Sequence, residues 1–142
     1  MQTPLWWNTR AGRSIAPMDT AAAARAWLEG WTAGWENADA DRIGALYAEG
    51  AVFRSHPFRE PERSARDYAL RAFADEELVE CRFSEPIMDG DRAAIEYWAV
   101  LSADGDEETL AGIAVVRFGE DGRVVEQRDY WSMEPGRRPP NF

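Results

Sequence analysis

The sequence predicts a single α+β domain in which three helices pack on a mostly antiparallel sheet. Two observations support this prediction. Apolar residues recur at helical spacing in the first half of the chain, whereas three Asp-Gly turns join β-rich runs in the second half. A block of helices followed by a block of strands is typical of α+β domains.

The first helix is predicted to begin at Asp19, because apolar side chains then recur every three or four residues. This apolar face carries Ala24, Trp27, Leu28, Trp31 and Trp35. Residues 37–40 interrupt the pattern, and Asp39 or Asp41 can cap a second helix.

The second helix is predicted to place Ile43, Leu46 and Tyr47 on its apolar side and to end before Gly50. A short strand over residues 51–55 follows. The sequence His56-Pro57 ends this strand, because the residue before a proline is conformationally restricted.

The third helix is predicted to begin after Ser64, which forms a capping-box pattern with Asp67. Its buried face carries Ala65, Tyr68, Ala69, Ala72 and Phe73. Four strands are then predicted over residues 78–84, 93–102, 110–118 and 124–133, joined as an antiparallel meander.

The predicted strands are apolar on both faces. Tyr97 and Leu101 alternate with Trp98 and Val100. One face of the sheet can pack against the helices, and the apolar residues of the other face must be buried against something else. A second copy of the chain is the simplest cover. The sequence therefore predicts a homodimer through the outer face, with Tyr130 joining Trp98 and Val100.

The sequence divides into a domain over residues 18–134, an N-terminal extension over 1–17 and a C-terminal tail over 135–142. The extension contains prolines and shows no periodicity. It also contains Leu5, Trp6 and Trp7, which are predicted either to be loosely attached or to dock on the domain.

Composition argues against several functional classes. The chain has 142 residues and a net charge of -10, which disfavours nucleic acid and anionic membrane surfaces as partners. One histidine and one cysteine give no recognisable spacing of metal ligands, and no cofactor motif is present. Cys81 is predicted to be a buried filler. Without a long apolar stretch or an evident signal peptide, the protein is predicted to be cytoplasmic.

Two stretches carry more specific patterns. Residues 31–61 begin Trp-Thr-Ala-Gly-Trp-Glu-Asn-Ala-Asp-Ala-Asp-Arg-Ile, and residues 116–131 read Val-Arg-Phe-Gly-Glu-Asp-Gly-Arg-Val-Val-Glu-Gln-Arg-Asp-Tyr-Trp. Both resemble SnoaL-like and ketosteroid-isomerase-like domains of the nuclear transport factor 2-like superfamily. The resemblance implies a cone-shaped α+β barrel around one apolar pocket.

The resemblance also implies which positions face this pocket. From the strands they are Phe53, Ser55, Tyr97, Ala99, Gly112, Ala114, Asp129 and Trp131. Trp31 and Trp35 would face it from the first helix. Of these, Trp31, Trp35, Phe53, Ser55, Tyr97 and Trp131 are the expected ligand-binding residues.

The catalytic groups of the relatives are largely missing at these positions. Ketosteroid isomerases, which this chain resembles, use a tyrosine and two aspartates. At the corresponding positions this chain has Trp31, Ser55 and Ala114. Of the limonene epoxide hydrolase pattern, only the last-strand aspartate is kept, as Asp129. Scytalone dehydratases use paired histidines, and this chain has one histidine.

Asp129 and His56 are the catalytic candidates. A buried Asp129 would have a raised pKa and act as a general base; the alternative is a strand acid paired with Arg128 or Arg54. His56 is either a proton donor at the pocket mouth or a loop histidine bonded to backbone. Two functions remain open. The missing catalytic groups favour a binding protein for a small, largely apolar molecule; the alternative is a cofactor-independent lyase, isomerase or hydrolase that uses Asp129 as general base, assisted by His56 or Tyr97.

Overall fold

The computed structural model describes residues 18–142, so the predictions for Leu5, Trp6 and Trp7 lie outside the described residues. The described residues contain three helices: α1 over Thr20–Glu36, α2 over Ala40–Gly44 and α3 over Ala65–Asp75. Their starts follow from capping, since the side chains of Asp19, Asp39 and Ser64 each accept a hydrogen bond from a first-turn N–H.

In the described part of the chain, six strands form one sheet. Their bounds are β1 Tyr47–Arg54, β2 Glu77–Phe83, β3 Ile87–Asp89, β4 Arg92–Ala103, β5 Asp106–Phe118 and β6 Val124–Pro135. The order is β1-β6-β5-β4-β2, with β3 paired on β4. All pairings are antiparallel except that of β1 with β6. The predicted α+β class is therefore confirmed, with a curved sheet that does not close.

The second helix and the first strand differ from the prediction. Helix α2 ends at Gly44, and Tyr47 already belongs to β1. The pairing of Tyr47 with Val124 of β6 outweighs the local helical pattern. Gly50 has a φ of 77°, as a residue following a helix often has, but it lies within β1 at an irregularity in the register.

Helix α1 closely approaches α2 and the residues that follow it, because two glycines of α1 face them. A Cβ on Gly34 would lie 2.6 Å from the Ile43 side chain, and one on Gly30 would lie 2.7 Å from Leu46. Ile43 is fully buried in this contact region. The helices thus close one side of the curved sheet and form a wall over its concave face.

The C-terminal residues fold back over the convex face of the sheet. Gly136, with a φ of 84°, turns the chain after β6. Thr109 Oγ1 then donates to the Gly136 carbonyl at 2.7 Å, and Trp98 Nε1 donates to the Arg138 carbonyl at 3.0 Å. Val100, expected at a dimer interface, is 0% exposed within the single chain. That expectation is wrong for Val100, because this part of the outer face is already covered.

No helix among residues 18–142 combines the length and apolarity that crossing a bilayer requires.

Candidate functional site

A cavity of about 460 Å³ lies between the helices and the concave face of the sheet. Much of its lining is aromatic and comes from α1, α3 and the strands. The aromatic lining residues are Trp27, Trp31, Trp35, Tyr68, Phe73, Phe83, Tyr97 and Trp131. The rings contact one another, with centroids 5.9 Å apart for Trp27 and Trp31 and 6.5 Å apart for Trp31 and Trp35. This size and character suit a small organic molecule.

The structure brings most of the expected site residues together. Trp31, Trp35, Tyr97, Trp131 and Asp129 all line the cavity.

Phe53 and Ser55 do not line the cavity. Phe53 is 1% exposed because it packs between Tyr47 and Tyr68 in the core. Ser55 is fully buried and donates its hydroxyl to Glu62 at 2.6 Å. The alternation of β1, continued by Ser55 directly after it, points both side chains inward as expected, but neighbouring side chains fill the space in front of them.

His56 lies beside the cavity rather than in its lining. Its ring contacts the Trp131 ring edge-on, with centroids 4.8 Å apart. Its Nδ1 accepts a hydrogen bond from the Phe58 N–H at 3.3 Å. This placement corresponds to the loop histidine bonded to backbone, so His56 has no part in the chemistry proposed below.

Asp129 is 8% exposed and faces the cavity from β6. It forms no ion pair within residues 18–142. Arg128 pairs instead with Glu126, and Arg54 is exposed and contacts the Arg59 carbonyl. The arrangement with an arginine partner, which the sequence left open, is therefore absent from the described part of the chain.

A hydrogen-bond network holds the Asp129 carboxylate. Gln127 Nε2 donates to Asp129 Oδ1 at 2.9 Å. The Tyr97 hydroxyl lies 3.5 Å from Oδ2, which is long for an O–H donor. Gln127 Oε1 accepts in turn from Trp27 Nε1 at 3.0 Å and from the Tyr47 hydroxyl.

Burial raises the pKa of Asp129 to about 7, and the hydrogen bonds from Gln127 and Tyr97 only partly oppose it. Burial also raises the pKa of Tyr97, with the nearby Asp129 carboxylate adding to the effect. Near neutral pH the carboxyl group thus exists in both protonation states, while the tyrosines around it stay neutral.

Gly112 makes room for this arrangement. It lies opposite Tyr97 on β5, and a Cβ there would come within 2.8 Å of the Tyr97 ring carbon Cζ. The Tyr97 ring can therefore lie across β5 toward Asp129.

The mouth of the cavity carries charges of both signs. Arg71 pairs with the largely buried Glu62, and the Arg59 guanidinium lies over the Trp131 ring at 5.3 Å. Asp75, Glu76 and Glu108 also line the opening. The pKa of Glu76 is raised by its partial burial and then by these two neighbouring acids.

The sequence analysis did not select Gln127, Trp27 or Tyr68 as site residues. Trp27 and Tyr68 were predicted only as members of apolar helix faces. Gln127 shares a strand face with Asp129, since strand side chains alternate, and a polar residue on that face was the available signal. Trp27 and Gln127 form a hydrogen bond with each other from elements that are distant in sequence, so the sequence pattern did not indicate this contact.

Together, the fold and this cavity define an α+β pocket protein of the nuclear transport factor 2-like superfamily. The family model of the SnoaL-like domain matches residues 16–127. The chain therefore belongs to the SnoaL-like domain family. A search among curated proteins finds no significant match.

Several solved structures share the fold. An epoxide hydrolase from Mycobacterium tuberculosis that resembles limonene epoxide hydrolase has a TM-score of 0.63 and 22% identity, covering 78% of this chain and 82% of its own. A proposed isomerase from Bacillus subtilis has a TM-score of 0.68 and 22% identity, covering 81% and 90%. The epoxide hydrolase/cyclase-like enzyme SalBIII, which functions in pyran ring formation in salinomycin, has a TM-score of 0.65 and 14% identity, covering 83% and 98%. At these identities the likeness concerns the fold.

Proposed function

We propose that this protein is an acid–base catalyst acting on a small, largely apolar molecule in the aromatic cavity, with Asp129 as the general base. One observation carries the proposal: a buried carboxyl group faces the cavity without a cationic partner among residues 18–142. A structural acid at this depth would normally be paired, because an isolated buried charge is costly.

The cavity supports an apolar ligand with few polar groups. Aromatic rings present a large apolar area with few rotatable bonds, which suits a flat or cyclic molecule. The Tyr97 hydroxyl and Asp129 Oδ2 offer hydrogen bonds at one place on the wall. A ligand that buries its hydrocarbon body against the rings would present its reactive atom there.

The chemistry follows from a pKa of about 7. The ionised carboxylate takes a proton from an activated carbon or from water, and the neutral acid returns it to another atom of the ligand. Such a transfer describes an isomerase, a lyase or a hydrolase and uses no cofactor. The similar structures named above include an epoxide hydrolase and a proposed isomerase. Hydrolysis and isomerisation are both reactions of this kind.

A binding protein without catalysis is the second candidate. The observation that favours it is that no second acid among residues 18–142 is bonded to Asp129, whose hydrogen-bond partners are Gln127 and Tyr97. The cavity would then hold its ligand and Asp129 would supply a hydrogen bond.

Turnover assays distinguish the two candidates. The panel contains one substrate for each reaction type: 1-methylcyclohexene oxide, cyclohex-3-enone and 3-hydroxycyclohexanone. We expect the protein to convert at least one of them, and the Asp129→Asn variant to be slower by about 10²- to 10⁴-fold. The exposed Asp91→Asn variant is the matched control and should keep full activity. Binding without turnover of any panel member would favour the binding protein.

We also propose that the protein is a homodimer through the part of the outer sheet face that its own C-terminal residues leave open. Tyr130 and Val52 are 43% and 44% exposed there. Half-buried Ile113 pairs with Tyr130 on the same face and extends the apolar surface around it.

A further inference from the structure

Gln127 forms a hydrogen-bonded link between Asp129 and two other elements of the fold. Gln127 is 1% exposed, and both polar atoms of its side chain form hydrogen bonds. Oε1 accepts from Trp27 of α1 and Tyr47 of β1, and Nε2 donates to Asp129. An amide that bridges donors and an acceptor in this way has a defined orientation.

The orientation of this amide is fixed by Trp27. An indole N–H can only donate, so the atom that it contacts must be the amide oxygen. Tyr47 adds a second donor, because its hydroxyl already accepts from Trp31 Nε1 at 3.0 Å and directs its own proton to Gln127. Rotating the amide by half a turn would set its NH₂ group against both donors.

Asp129 Oδ1 is consequently an acceptor in both protonation states of the carboxyl group. Gln127 Nε2 lies 2.9 Å from it and has no lone pair to receive a proton. Among residues 18–142, the one contact of Oδ2 is the long one with the Tyr97 hydroxyl. We propose that Gln127 is a positioning residue that confines the exchangeable proton of Asp129 to Oδ2, the oxygen beside Tyr97.

This inference rests on the proposed acid–base function and adds the means by which the site is oriented. The titratable groups facing Asp129 are Tyr47 from β1, Tyr68 from α3 and Tyr97 from β4. All three have raised pKa values, mainly because they are buried, and stay uncharged near neutral pH. The amide of Gln127 is thus the group on the Oδ1 side that can direct the proton without itself titrating.

The test exchanges Gln127 for a side chain of the same shape that lacks the N–H donor. In Gln127→Glu, the new carboxylate keeps both donors, Trp27 and Tyr47, and faces Asp129 Oδ1 with an acceptor. Two adjacent carboxyl groups then share one proton, which moves to the Oδ1 side, and we expect the pair to lose this last proton at a midpoint at least about one pH unit above that of Asp129 in the unaltered protein. Carboxyl ¹³C NMR titration of the ligand-free protein measures this midpoint.

The Tyr47→Phe variant is the control, since it removes one donor to Oε1 but leaves Trp27 to hold the amide. Its Asp129 midpoint should move much less than in Gln127→Glu. A folded Gln127→Glu variant with an unchanged Asp129 midpoint would overturn the positioning role. A midpoint near 4 in the unaltered protein would instead overturn the proposed function, so the two failures are distinguishable.

Discussion

Asp129 combines two properties that oppose each other in a folded protein. Its carboxyl group faces the cavity, where an ionised carboxylate could act as a base. Burial, however, makes the charged form unfavourable and raises the pKa of the group to about 7. In the unfolded chain the same group ionises near its ordinary pKa of 3.8. The folded state therefore holds the proton more tightly than the unfolded state does, and the stability of the protein depends on pH.

The free energy of unfolding should fall as pH rises from about 4 to about 7 and change little through this group above that. The Asp129→Asn variant keeps the Gln127 hydrogen bond and cannot ionise, so it should lack this loss. At pH 8 we expect it to be more stable than the unaltered protein by up to about 4 kcal/mol, from a shift of roughly three pKa units. Urea unfolding at pH 4.5 and pH 8 measures the difference.

The Asp91→Asn variant, at an exposed position, should follow the unaltered protein at both pH values. A less stable Asp129→Asn variant at pH 8 would show that the ionised carboxylate is well stabilised in the fold. Asp129 would then be a structural acid, and the loss should be about 1–3 kcal/mol for a buried hydrogen bond.

At the scale of elements, the C-terminal residues act as a strap across the outer face of the sheet. This strap, residues 136–142, contacts β5 through Thr109 and Glu107 and reaches β4 through Trp98. The Arg82 guanidinium on β2 lies 5.8 Å from the ring centroid of Phe142 at its end. The strap thus joins three strands and covers apolar surface that sequence analysis assigned to a dimer.

Thr109 holds the strap through two hydrogen bonds. Its hydroxyl donates to the Gly136 carbonyl and accepts from the Arg138 N–H at 2.8 Å, and the residue is 3% exposed. The Thr109→Val variant keeps the shape and loses both bonds, so we expect a loss of about 1–3 kcal/mol in the free energy of unfolding.

Thr109→Ser retains the hydroxyl and is the matched control, with a smaller loss. Chemical denaturation measures both variants. Faster amide hydrogen exchange of Arg138 in Thr109→Val, but not in Thr109→Ser, would locate the effect in the strap. Equal stability of Thr109→Val and the unaltered protein would mean that the strap is held by its other contacts.

At the scale of the whole molecule, the open part of the outer face sets the expected assembly. We expect sedimentation velocity to show a dimer at micromolar concentration. Tyr130→Glu should shift it to monomer, because a charge would replace an aromatic ring at the centre of the interface.

Phe58→Glu is the matched control. Phe58 is 93% exposed on the loop after β1, so the same chemical change there should leave association intact. A monomer in the unaltered protein would contradict the proposed dimer without affecting the cavity or Asp129.

Much of the fold was predictable because local patterns and tertiary structure agree. The α1 face from Ala24 to Trp35, the Ser64 cap and the Asp-Gly turns appear as the sequence indicates. Strand β3 was not predicted, since its three residues are all exposed and show no alternation. The start of β1 was assigned to a helix because its pairing with β6 is a long-range contact without a local signal.

For the candidate site, the sequence by itself determined which side chains share a strand or helix face. Alternation along β6 places Gln127, Asp129 and Trp131 together, and helical spacing aligns Trp31 with Trp35. Only the tertiary structure decided that Phe53 and Ser55 are covered, that Asp129 has no arginine within the described chain, and that Gln127 bonds to Trp27 and Tyr47. The physical reason is that periodicity fixes the direction of a side chain, whereas its partners come from elements brought together by folding.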